Sequence, residues 1–180
     1  MTNNLYHYTC GHKLPGIQAD SLLRRSKVPP FAPREKGILW LSANPIYEPS
    51  ACKPLLTPEG RRVLDVSVLR AKVGLYRFTL VEGMLTPAVL PWPGIGLRAG
   101  MSEDHRKAVS NAGMAMGGVP TQWWGTIIDI PTEVLCLDWL NDEGQWQPVT
   151  LAEGVARFRS QGYAVASYSD HDKAVTGVAL

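Results

Sequence analysis

Two short strands frame the first forty residues and constrain what the rest of the chain can become. The run Leu5-Tyr6-His7-Tyr8-Thr9 reads as a strand at the very start, and Gly37-Ile38-Leu39-Trp40-Leu41-Ser42 reads as a second about thirty residues later. Between them, residues 14–23 place apolar side chains at Leu14, Ile17, Leu22 and Leu23 with Pro15 in the first turn, which predicts a short helix. Residues 27–36 carry Pro29, Pro30 and Pro33. Proline fixes φ and removes a backbone donor, so this stretch is expected as an exposed loop.

Further along, Thr57-Pro58-Glu59 has the chemistry of a helix start, a hydroxyl cap followed by proline and an acid, and predicts a helix running toward Lys72 and ending at Gly74. A short helical piece is expected before it, around residues 48–53. Residues 75–81 alternate, with Tyr76, Phe78 and Leu80 on one face and Arg77 and Thr79 on the other, which predicts a strand. Residues 89–100, with Pro91, Pro93, Gly94, Gly96 and Gly100, read as a long irregular loop of the kind that tends to carry function. Ser102-Glu103-Asp104 caps a helix to about Met116. Strands are expected over residues 125–130, 134–140 and 144–149. Thr150-Leu151-Ala152-Glu153 is a capping box for a last helix to about Ser160, followed by a strand over residues 163–168.

Composition narrows the class. At 180 residues, 45% hydrophobic and 19% charged, the chain matches one ordinary globular domain, expected over residues 1–168 with a flexible tail at 169–180. A net charge of +2 is too small to argue for nucleic acid. No apolar run approaches the roughly 20 residues of a membrane span, and no signal peptide is read at the N-terminus. Cys10, Cys52 and Cys136 are odd in number and widely spaced, which fits reduced thiols and a cytoplasmic location. His7, Cys10 and His12 lack a second close pair of ligands, so no metal site is expected.

A strand with His-x-Thr, a helix, then a strand with aromatic-x-Ser resembles the ADP-ribosyltransferase superfamily, in particular its tRNA 2′-phosphotransferase and DNA ADP-ribosyltransferase-like branches. The resemblance covers roughly the first fifty residues. It implies an α+β fold, an ADP-ribosyltransferase-like split mixed β-sheet core with flanking helices. It also implies cleavage of NAD⁺, as substrate, at the nicotinamide–ribose bond, with the ADP-ribosyl group passed to a macromolecular acceptor, a protein rather than a nucleic acid. His7, Tyr8 and Thr9 would contact the cofactor, with Trp40 and Ser42 beside the nicotinamide. Family members carry a glutamate at or just before a later strand. The matching stretch here, Pro120-Thr121-Gln122-Trp123-Trp124-Gly125, has no acid, so Glu48 and Gln122 are the catalytic candidates and Trp124 a cofactor contact. Arg77, whose planar fork suits phosphate oxygens, is a candidate for the diphosphate.

Each assignment has a plain structural alternative. His7 between tyrosines also fits a core histidine bonded to a carbonyl, Trp40 between leucines fits core, and Glu48 before Pro49 fits a surface acid. Arg77 fits a solvent-facing strand position, and Arg24 and Arg25 suit a helix C-terminus without any ligand. The function likewise has rivals: an NAD⁺ glycohydrolase or phosphorylase of the toxin kind, a phage effector, or an inactive binding module of the same fold.

Overall fold

The structure is a computed structural model that describes residues 4–51, 55–57, 60–62, 65–81 and 88–161. In chain order its strands are β1 (Leu5–Cys10), β2 (Leu22–Leu23), β3 (Leu39–Ser42), β4 (Leu55–Thr57), β5 (Gly60–Arg62), β6 (Leu75–Leu80), β7 (Val89–Pro91), β8 (Trp123–Thr126), β9 (Ile130–Pro131), β10 (Cys136–Leu140) and β11 (Trp146–Val149). The helices are α1 (Leu14–Asp20), α2 (Val66–Val73), α3 (Gly94–Arg98), α4 (Glu103–Ala115) and α5 (Leu151–Ser160). Seven strands form one sheet in the order β11-β10-β6-β1-β3-β8-β7, and β2-β9 and β4-β5 make small two-stranded sheets. The fold is α+β. Its described strand pairs are antiparallel, where a mixed sheet was expected.

Alternation along the strands separates the sheet's two faces. One face gathers Leu5, Leu39, Leu41, Tyr76, Phe78 and Leu80 with Leu14 of α1 and Val155 of α5 in the largest core cluster. Fully burying one such side chain stabilises a fold by about 1.5–3 kcal/mol. The opposite face is covered in two patches. Cys10, Leu75 and Leu140 pack with Leu69 and Val73 of α2, while Trp40 and Trp123 pack with Ile95 of α3, with Ala99 just after it, and with Val109 of α4.

Several elements differ from expectation. The predicted helix of residues 57–72 starts only at Val66, because Asp65 is the residue whose side chain accepts the Ser67 N–H as a cap. Thr57 instead lies in β4, paired antiparallel with Gly60 of β5. The predicted helix of residues 14–23 stops at Asp20, where Ser21 takes a left-handed backbone, and Leu22-Leu23 then pairs with Ile130-Pro131. Residues 89–100 are not a loop. Val89–Pro91 is an edge strand, where proline is tolerated, and Gly94–Arg98 is a helix anchored by Ile95 and Ala99, both almost fully buried. The piece expected at residues 48–53 is a 3₁₀ turn at Pro49–Ala51. Strands β8 and β10 are offset by about two residues from their expected starts, since a 3₁₀ turn at Thr132–Val134 occupies the head of the latter. The capped helices α4 and α5 form as read, with Ser102 accepting from the His105 N–H and Thr150 and Glu153 closing a capping box. The strand expected at 163–168 and the tail at 169–180 lie outside the described residues.

Candidate functional site

At its centre the seven-stranded sheet is joined by a single register pair. β1 pairs with β6 over its whole length, Leu5 opposite Leu80 through Cys10 opposite Leu75. With β3 it pairs at one position, Tyr6 opposite Ser42. Beyond that bridge the pairing ends, and the His7 ring reaches the opposing strand, with Nδ1 2.9 Å from the Trp40 carbonyl oxygen. A cleft of about 740 Å³ opens at this parting, a volume typical of small-molecule sites. Its lining comes from both sides of the sheet: Ile17, Leu22 and Leu23 from α1 and β2, and Val109, Ala112, Gly113 and Met116 from α4.

Glu48 also lines the cleft, although only 4% of it is exposed. A buried carboxylate is costly unless hydrogen-bonded, and this one is. Ser42 Oγ donates to Oε2 at 3.1 Å, while Ser50 donates to Oε1 through Oγ at 2.5 Å and through its backbone N–H at 3.2 Å. Ser42 Oγ in turn accepts the Asn44 N–H at 3.1 Å. The Trp123 side chain stands on the same wall. A Cβ placed on Gly118 would lie 2.7 Å from Glu48 Oε1, 2.8 Å from Trp123 Cζ2 and 2.9 Å from Ser50 Oγ, so only glycine lets these three groups converge. The buried Trp123 indole N–H has no hydrogen-bond partner among the described residues.

The electrostatics of β1 follow from burial. A carbonyl only accepts, so His7 carries its proton on Nδ1. Burial pushes the imidazole below its ordinary value of 6.5, against the opposing pull of the Trp40 carbonyl. The ring is therefore neutral at pH 7 and leaves Nε2 as an acceptor. Burial likewise raises the Tyr8 hydroxyl well above its ordinary range, with Arg77 opposing, so Tyr8 remains a donor and bonds the Asn44 carbonyl at 2.5 Å.

Among the candidates named from sequence, His7, Tyr8, Thr9, Trp40, Ser42 and Glu48 all line the cleft. Three others do not. Arg77 is engaged elsewhere, in an ion pair with Asp138 and in contact with the rings of Tyr6 and Trp146. Gln122 sits in the 3₁₀ turn before β8, where its carbonyl accepts the Ala43 N–H. Trp124 faces the main core, opposite Leu41, because neighbours along a strand point to opposite faces. It is the adjacent Trp123 that reaches the cleft. Glu48 is not the surface acid its neighbour Pro49 allowed for, and Arg24, read as a helix end, borders the cleft beside Asp20. Ser50 and Gly118 were not singled out from sequence, and no local pattern marks them. Among the described residues no group of His, Cys, Asp and Glu is arranged to hold a metal, and no helix is long and apolar enough to cross a membrane.

Comparison with protein-family models, with characterised proteins and with solved structures finds no significant match.

Proposed function

We propose that this protein is an ADP-ribosyltransferase that uses NAD⁺ as substrate, cleaves its nicotinamide–ribose bond and transfers ADP-ribose to a macromolecular acceptor. The supporting observation is the cleft at the parting of β1 and β3, which brings His7, Trp40 and the hydrogen-bonded Glu48 together from separate segments. Glycosidic cleavage of NAD⁺ builds positive charge at the anomeric carbon while the leaving nicotinamide needs little acid assistance. A preorganised carboxylate in a shielded site is suited to that charge, and the Trp40 face to the nicotinamide ring. Neutral His7 offers Nε2 to a ribose hydroxyl. The Trp123 indole, on the same wall as Glu48, carries a buried N–H without a hydrogen-bond partner among the described residues.

Incubation with NAD⁺ carrying label on its adenylate half tests this directly, with chromatography for nicotinamide and intact-mass analysis of acceptors from a cell lysate. Nicotinamide release together with labelled protein is the expected outcome. Free ADP-ribose without transfer identifies a glycohydrolase instead. No calorimetric heat and no thermal shift up to millimolar NAD⁺ refutes the proposal.

A further inference from the structure

The loop joining β3 to Glu48 is fastened by a device that the cleft itself does not explain. Its successive carbonyls at Asn44, Pro45 and Ile46 each accept a hydrogen bond from a side chain on a different strand: Tyr8 of β1 at 2.5 Å, Arg77 of β6, and the Trp146 indole N–H of β11 at 3.0 Å. From within, Asn44 Oδ1 accepts the Ile46 N–H at 3.0 Å and the Tyr47 N–H at 3.4 Å. The Tyr47 and Tyr8 rings meet edge to face at a centroid distance of 5.6 Å. Glu48 is the next residue.

Arg77 is the centre of this clamp and is itself immobilised. Its guanidinium lies 4.6 Å from the Tyr6 ring centroid and 4.5 Å from that of Trp146, and Nε donates to Asp138 at 2.9 Å while Nη1 donates to Pro45. The side chains of Arg77 and Asp138 are 14% and 16% exposed. A planar fork bonded through two of its nitrogens and packed against two aromatic rings holds a carbonyl more rigidly than a lysine could. We propose that Arg77 is a positioning residue: acting through residues 44–47, with Trp146 beside it, it fixes where Glu48 stands in the cleft wall. The proposal rests on the reading of Glu48 as the carboxylate that acts on NAD⁺, and it replaces a diphosphate contact for Arg77.

The test compares Arg77→Met and Trp146→Phe, the second deleting one loop bond while keeping a ring in place. Each is expected to lower kcat for nicotinamide release on the order of 10- to 100-fold, since a small misplacement of a catalytic group costs that much. The NAD⁺ dissociation constant should stay unchanged, and the amides of Asn44, Ile46, Tyr47 and Glu48 should exchange faster with deuterium. In a Glu48→Gln background neither substitution should lower kcat further. A rise in the NAD⁺ or ADP-ribose dissociation constant that accounts for the loss, or an undiminished effect on top of Glu48→Gln, overturns the positioning role. Should the wild-type protein fail to cleave NAD⁺, the function proposed above falls. The clamp is then judged by exchange alone, and unaltered protection of residues 44–48 in both variants refutes it.

Discussion

Glu48 and His7 show how one side chain's role follows from its immediate partners. Three donors from Ser42 and Ser50 leave the Glu48 carboxylate little freedom to turn, and removing one well-placed electrostatic contact from a transition state costs on the order of 10²–10³ in rate. Steady-state kinetics should therefore show Glu48→Gln lowering NAD⁺ turnover by about that factor at little cost in affinity. Gln122→Ala should leave cofactor cleavage nearly intact, since Gln122 lies outside the cleft lining; an impaired Gln122→Ala beside an unimpaired Glu48→Gln would reverse the assignment. His7 gives a pH signature. Its folded pKa lies below the ordinary 6.5, so below about pH 6.5 the unfolded chain takes up a proton that the folded protein refuses. Its contribution is fully present above that pH and is lost as pH falls toward the depressed folded value. Urea titrations between about pH 8 and about pH 5 should show a smaller acid-side loss of stability in His7→Asn than in the wild type. Identical slopes would mean that His7 titrates as it does in the unfolded chain.

At the scale of elements, α4 and β8 meet so closely that the cleft wall depends on a missing side chain. A Cβ on Gly113 would stand 2.4 Å from Trp123 Cη2 and 2.7 Å from its Cζ2, with helix backbone on one side and a buried ring on the other. Neither can yield cheaply. Gly113→Ala should destabilise the protein by about 1–3 kcal/mol through overpacking, despite alanine's better helix propensity, and urea denaturation measures it. A neutral or stabilising result would show that Trp123 is free to move. The caps of α4 and α5 were readable because Ser102 and the pair Thr150 and Glu153 satisfy backbone donors within three residues of themselves. The start of α2 was misread because Thr57 carries the same chemistry as Asp65, and only pairing with Gly60 decides that Thr57 is extended. In the same way Leu22-Leu23 continues the apolar pattern of α1, yet Ser21 breaks the helix and β9 captures the pair.

On the scale of the whole molecule, the cleft exists because a seven-stranded sheet keeps only one bridge between β1 and β3. A ligand seated there joins parts of the fold that the sheet leaves apart, and binding to the folded state alone stabilises it by about 2.7 kcal/mol at a hundredfold excess over Kd. NAD⁺ should accordingly raise the thermal midpoint in a concentration-dependent way, and nicotinamide or ADP-ribose alone should do so less. Local chemistry alone determined much of this protein. The strands β1, β3 and β6 were legible from short β-forming runs and the capped helices from their hydroxyl starts, while a family resemblance singled out His7, Tyr8, Thr9, Trp40, Ser42 and Glu48, which line one cleft. Those signals act within a few residues of themselves. Tertiary structure decided which of Trp123 and Trp124 faces the cleft, that Arg77 reaches the Pro45 carbonyl rather than the cleft, and that Ser50 and Gly118 complete the Glu48 wall. Each of those outcomes depends on strand register or on contacts between distant segments. One residue of register exchanges the two faces of a strand, and no local pattern in the chain records it.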